Sequence, residues 1–187
     1  PTGLFDNSAI ERFLRKAYSS HGRSNDFREL ASKLIIVAVE LESGQTVRFG
    51  TSGHDAVPIS RAIEASAALP GLYPPVQIDG KHYVDGALRH TVHASVALDS
   101  GADLVLAINP LVPINTVHAK SQGKASSPNV VDGGLPAVLS QMFRTLLESR
   151  MQTSIPRYER TYPDSDLMLL QLFFLMIRRP PRSTLFP

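Results

Sequence analysis

Asp85 is the residue whose neighbours best suit it to chemistry. It closes the apolar run Tyr83-Val84 and is followed by Gly86 and Ala87, which leave room above a carboxylate at a strand end. A carboxylate presented in that way can reach a nucleophile's proton directly, as a general base must. Asp-Gly pairs also punctuate hairpins, and the chain carries others at Asp79-Gly80 and Asp132-Gly133. Asp79 lies between two short β-runs and reads as a turn. Asp132 lies between a polar loop and a helix and reads as an N-cap. Asp85 comes five residues after Gly80, on the outgoing strand, where no second tight turn is called for.

Other reactive side chains form no comparable constellation. The histidines are His21, His54, His82, His90, His93 and His118. His90 and His93 share a helix face, but no carboxylate or thiolate follows at an interval that would complete a metal site. No metal and no cofactor are therefore expected. Gly50-Thr51-Ser52-Gly53 places a serine between glycines, yet it follows an edge strand, opens into no helix and lacks the Gly-x-Ser-x-Gly spacing of a nucleophile elbow. No Gly-x-Ser-x-Gly occurs anywhere in the chain, so no nucleophile is assigned in it. The Gly-x-Gly-x-x-Gly and Gly-x-x-x-x-Gly-Lys loops of nucleotide-binding domains are absent as well.

The Asp85-Gly86-Ala87 motif follows Ala65-Ser66-Ala67-Ala68-Leu69-Pro70-Gly71-Leu72-Tyr73-Pro74-Pro75 at short range. In this order and at this distance the two segments resemble the second half of a patatin-like phospholipase domain. The opening Pro1-Thr2-Gly3-Leu4-Phe5-Asp6 resembles the segment shortly after the nucleophile in bacterial members. The resemblance covers residues 1–171 and implies a three-layer α/β/α fold, here incomplete at the N-terminus. It also implies acyl-ester hydrolysis by a Ser–Asp dyad, with Asp85 as the catalytic general base and no histidine between the two. On this reading the serine and the oxyanion loop lie upstream of Pro1, and the chain alone is inactive. The implied partner is a lipid or other acyl ester, met through peripheral membrane contact. Leu69, Pro70, Leu72, Tyr73 and Pro74 are the candidate lining of the acyl cleft, although Pro-Gly and Pro-Pro also serve to end a helix and stiffen a turn. A non-catalytic interaction or binding module on the same fold is the alternative.

Bulk composition is that of a globular chain, with 187 residues of which 43% are hydrophobic and 19% charged. Cysteine is absent, which excludes a disulfide framework and fits a cytoplasmic or membrane-surface setting. The formal charge of +2 invites a nucleic-acid reading. Met176 to Pro187, however, can be back-translated in frame into a flow-cell sequencing adapter. Three of the 19 Lys+Arg residues lie there and none of the 17 Asp+Glu, which leaves 16 against 17, or −1. Nucleic acid is accordingly excluded as a partner, and residues 172–187 are expected to be a non-native tail.

Several elements must position Asp85. Ser8 to Glu11 has the form of a capping box, and Ile10, Phe13, Leu14, Ala17 and Tyr18 repeat as the buried stripe of a helix ending near Ser20. Asp26 can cap a short turn. Leu34 to Val39 is a β-branched run of the kind buried on both faces, and Ser43-Gly44 turns into the edge strand Thr46–Phe49. Pro58 opens a helix with the stripe Ile59, Ala62, Ile63, Ser66 and Leu69. Val76–Ile78 and His82–Val84 form a hairpin around Asp79-Gly80. A helix from Thr91 to Ser100 is closed by Gly101, followed by the apolar strand Leu104–Ile108. A polar loop spans 113–129. A helix carries Leu135, Val138, Leu139, Met142 and Leu146, and a last strand runs from Asp166. Alternating strands and helices predict an α/β domain with a mostly parallel sheet. With part of the sheet absent, the apolar side chains of Ile35–Val39 and Leu104–Ile108 are expected to be unusually exposed.

Overall fold

A computed structural model describes residues 3–88, 93–109 and 130–171. The start of the Thr91 helix, the 113–129 loop, His90, His118 and the 172–187 tail lie outside the described residues. Two compact units divide the chain, Pro1–Arg89 and His90–Pro187.

In the first unit, helix α1 (Ser8–Tyr18) precedes strands β1 (Ile36–Glu40) and β2 (Thr46–Phe49). Helix α2 (Ile59–Ser66) then leads to the hairpin β3 (Val76–Ile78) and β4 (Lys81–Asp85). The strands form one four-stranded sheet in the order β2-β1-β4-β3. Each pairing is antiparallel, with Val37 opposite Arg48, Val39 opposite Val84, and Gln77 opposite His82. Helices and a sheet pack together, so the α/β class holds, but the mostly parallel sheet does not. The β-branched run of β1 reports burial on two faces and carries no information on direction. Val37, Ala38 and Val39 are indeed buried. For β1–β2 and β3–β4 the direction is set by the connections, because short turns can only join antiparallel neighbours. At the β3–β4 turn both Asp79 and Gly80 take positive φ, 50° and 79°, the pairing that a two-residue hairpin with the native strand twist requires.

The core lies between α2 and the sheet, where Ile59, Ala62 and Ala65 meet Ala38, Val47, Phe49, Val76 and Tyr83. The rings of Phe49 and Tyr83 cross edge to face with centroids 5.3 Å apart. Burying Phe49, Ile59 and Val84, all nearly inaccessible, contributes about 1.5–3 kcal/mol each.

Helix α1 departs from its sequence pattern. Ile10 and Phe13 are exposed, while Glu11 is buried. The capping box does not form either. Ser8 N–H donates to Asp6 Oδ1 at 2.9 Å, and Glu11 turns inward to accept from Ser60 Oγ at 3.0 Å. Ser60 Oγ also accepts from Asn25 Nδ2 at 3.0 Å, and Ser60 N–H donates to Asn25 Oδ1 at 2.8 Å. Buried polar groups must be satisfied, and meeting Ser60 rotates α1 so that the acid faces in. Asp26 caps its short turn as expected, accepting from Arg28 N–H at 2.9 Å.

The second unit holds a short helix α3 (Ala94–Leu98), strand β5 (Leu104–Asn109), helix α4 (Gly134–Thr161) and strand β6 (Asp166–Gln171). Gly101 follows α3 with φ +86°, and its N–H and that of Ala102 return to Leu98 and Ala97 carbonyls, the expected glycine stop. Strands β5 and β6 pair in parallel, Leu104 opposite Asp166 through Asn109 opposite Gln171. Helix α4 starts with Gly133 at its N-cap position, so Asp132, the expected cap, lies one residue too early, in the preceding 3-10 turn. It buries Leu147 and Met151, whereas Leu135, Met142 and Leu146 of the expected stripe are exposed. Asn109 Nδ2 donates to Met151 Sδ at 3.6 Å. On the other face of β5, Leu104, Leu106 and Ile108 are each more than half exposed. The expected exposure therefore holds for β5 and fails for β1, which β2, β4 and α2 cover.

Ser60→Ala should leave Glu11 without its hydroxyl donor and Asn25 Nδ2 without its acceptor. An unsatisfied buried polar group costs about 1–3 kcal/mol, so urea denaturation should show a loss of that size with an unchanged m-value.

Candidate active site

Asp85 is the last residue of β4, opposite Ala38 of the central strand β1. Beyond it the chain turns through a single 3-10 turn, Gly86–Leu88. The turn uses the carboxylate itself, since Ala87 N–H donates to Asp85 Oδ1 at 2.8 Å. This corrects the sequence reading on one point, because a second tight turn does follow the hairpin. An aspartate that accepts from the amide two residues on is the side-chain mimic of a backbone turn. In that turn Gly86 is buried and Ala87 half-buried.

Asp85 is itself half-buried. Burial raises its carboxyl pKa above the ordinary carboxylate value, and the Ala87 amide opposes that rise only in part. Desolvation disfavours the charged form, so the site holds an unusually basic carboxylate at the mouth of a strand. A shifted group placed this way is a candidate for proton transfer.

Backbone contacts join this aspartate to the other two segments that sequence analysis singled out. Asp85 N–H donates to Ala68 O at 3.0 Å, just beyond the C-terminus of α2. From Ala68 the chain turns sharply, with Leu72 N–H and Tyr73 N–H both donating to Leu69 O. The opening segment lies against that turn. Gly3 bridges to Gly71, and Phe5 N–H donates to Leu72 O at 2.8 Å. A side chain at Gly3 would come within 2.5 Å of Pro74 N, so the close approach needs a glycine there. The Phe5 and Tyr73 rings sit 6.2 Å apart, tilted. Among the candidate cleft residues, Leu72 is buried, and Leu69, Pro70, Tyr73 and Pro74 are half-buried.

Ser52 is exposed in a loop that leaves the edge strand and closes on itself, with Gly50 N–H donating to His54 O at 3.0 Å. Gly50 has φ +89°, and a Cβ there would fall 2.2 Å from Leu34 O, so packing accounts for that glycine. His82 Nδ1 pairs with Glu42 Oε1 at 2.7 Å on the surface. Sequence reading did not single out the Glu11–Ser60–Asn25 network, since no spacing rule links residues so far apart. Among the described residues no helix is long and apolar enough to cross a membrane.

A family model described as Patatin-like phospholipase matches residues 1–98, a span that includes the opening segment, the Ala65–Pro75 turn and Asp85.

The raised pKa makes a stability prediction with a definite sign. A carboxyl with a higher pKa folded than unfolded binds its proton more tightly in the native state. Its ionisation therefore costs stability above the folded pKa, and the cost disappears once pH falls below the unfolded value. Asp85→Asn keeps the acceptor for Ala87 and removes the charge. The variant should melt at a higher temperature than the wild type at pH 7, with the gap closing toward about pH 4. Differential scanning calorimetry across that range checks it.

Proposed function

The chain belongs to the patatin-like phospholipase family, and from that premise we propose that it supplies the general-base half of a lipid acyl hydrolase, with Asp85 as the base. The family and the α/β fold point to hydrolysis of lipid substrates. The finer reading is a Ser–Asp dyad. A serine attacks the ester carbonyl while Asp85 takes the hydroxyl proton, and an acyl-enzyme forms. Asp85 then draws a proton from water, which attacks the acyl carbon and releases the fatty acid. Amide groups preorganised at the developing oxyanion would supply much of the remaining rate enhancement.

The observation that supports this most directly is the Asp85 N–H bond to Ala68 O. It ties the Asp-Gly-Ala motif to the Ala65–Pro75 turn, against which the Gly3–Phe5 segment also rests. Segments far apart in sequence are thus linked by backbone bonds to the residue whose carboxyl pKa is raised by burial. A base of that kind accepts a serine proton better than an exposed aspartate does. Leu69, Pro70, Tyr73 and Pro74 then form the wall that meets the acyl chain, and the substrate is met at a membrane surface from outside. Nucleic acid has no part in this reading.

Because no Gly-x-Ser-x-Gly stands in these 187 residues, the chain alone should not turn over a short-chain nitrophenyl ester. Turnover blocked by a serine-directed fluorophosphonate would overturn that expectation. In a form of the protein that carries the serine motif, Asp85→Asn should lower kcat/KM by about 10²–10⁴-fold, with Asp132→Asn near normal. The wild-type rate should rise with pH through a pKa above the ordinary carboxylate value. An Asp85→Asn variant with normal rates would remove Asp85 from the mechanism.

A further inference from the structure

Helix α1 keeps Leu14, Ala17 and Tyr18 of its apolar stripe half-buried but leaves the other two residues of the stripe in solvent. Phe13 is 71% exposed and Ile10 42%, while Glu11, the helix's one acidic residue, points inward to Ser60. Residues three apart are neighbours on a helix, so Ile10 and Phe13 form one outward ridge. Lys16 and Arg12 are exposed on the side of the helix next to Phe13, and Arg15 lies on the flank beside Glu11. Arg12 Nη1 donates to Ser8 Oγ at 2.8 Å, and Arg15 Nε lies 3.6 Å from Glu11 Oε1 with its side chain still 60% exposed. Just ahead of the helix, Leu4 and Phe5 are half exposed as well. Asp6 is the one exposed acid between Leu4 and Tyr18, and it is folded back onto Ser8 Oγ at 2.7 Å.

A single exposed apolar side chain is ordinary. Ile10 and Phe13 beside Lys16, with Leu4 and Phe5 exposed just ahead of the helix, call for an apolar and anionic partner. We propose that the outer face of α1 docks on an anionic lipid bilayer, with Phe13 and Ile10 seated at headgroup depth and Lys16 and Arg12 meeting lipid phosphates. The proposal rests on the lipid-hydrolase reading for its purpose and gives that reading a specific membrane face. Two observations favour a bilayer over a protein partner. The mixture of an apolar ridge with basic neighbours is that of helices lying in the membrane interface. The segment that leads into the helix also meets the candidate site, since Phe5 N–H donates to Leu72 O and the Phe5 ring lies tilted against Tyr73 on the turn that leads from Ala68. The chain as a whole is not strongly basic once its tail is set aside, so the attraction would be local to this helix.

The test is sedimentation of the full chain with vesicles of phosphatidylcholine alone, or with roughly one-third phosphatidylglycerol added. Binding should appear with the anionic vesicles and fall on the order of tenfold when salt is raised to about 0.5 M. Phe13→Ser and Lys16→Glu should each weaken binding by roughly tenfold, through lost apolar burial and lost phosphate attraction respectively. Both positions are exposed, so the melting temperature should not move. Equal binding to neutral vesicles, no binding, or unimpaired binding by Phe13→Ser would overturn the proposal. A dimer in light scattering that Phe13→Ser converts to monomer, without vesicle binding, would assign the face to a second copy of the chain and overturn it too. Asp85→Asn should bind vesicles like the wild type. Lost vesicle binding with soluble-ester hydrolysis intact, in a form carrying the serine motif, refutes the docking face alone. Lost hydrolysis with binding intact bears only on the catalytic reading.

Discussion

A hydroxyl with no solvent access, that of Ser60, sets the arrangement of the first unit. It donates to the buried carboxylate of Glu11 and accepts from Asn25, whose own oxygen takes the Ser60 amide. Three stretches of chain, α1, the loop before the Asp26 turn and the first turn of α2, are thereby fixed to one atom. Hydrogen bonds in a dry interior are demanding, because leaving any member unpaired costs more than forming the bond gains. The network therefore permits one rotation of α1 and one position of α2. A core of aliphatic residues alone would tolerate several.

A second buried acid supports the same interface. Glu64 lies on α2, and desolvation raises its pKa while the Arg61 guanidinium, 2.5 Å away, pulls it back down. Arg61 Nη2 also donates to Gln77 O at 2.7 Å, so the pair links α2 to the edge strand β3. Asn7 Nδ2 donates to Glu64 O at 3.3 Å from the start of α1. Held at both ends, α2 delivers Ala68 O to the Asp85 amide. The position of the candidate base thus depends on polar bonds well away from it. Asp85 can bear the cost of its own burial because the surrounding frame is over-determined.

Much of this was legible in the sequence. Asp79-Gly80 specifies a two-residue turn, since only residues tolerant of positive φ fit both positions. Gly101 marks a helix stop for the same reason. The β-branched run of β1 announces a strand covered on both sides, and the segment order of Ala65–Pro75 followed by Asp85-Gly86-Ala87 carried the family. The two glycine signals are local rules in which steric preference at one or two residues decides the outcome.

What the sequence by itself determined was therefore the α/β class, the turns, the strand that ends at Asp85, and the family. Tertiary structure decided the rest. The antiparallel sheet came from which strands the connections bring side by side, a matter on which burial patterns are silent. The face that α1 buries was decided by Glu11 meeting Ser60, 49 residues away. A periodicity argument scores Phe13 as core and Glu11 as surface because it weighs each side chain's transfer to an apolar medium. It cannot see that a distant hydroxyl waits to satisfy the acid. The use of Asp85 in its own turn, the rise of its pKa and its tie to Ala68 are likewise consequences of packing, since desolvation exists only once the surrounding atoms are in place.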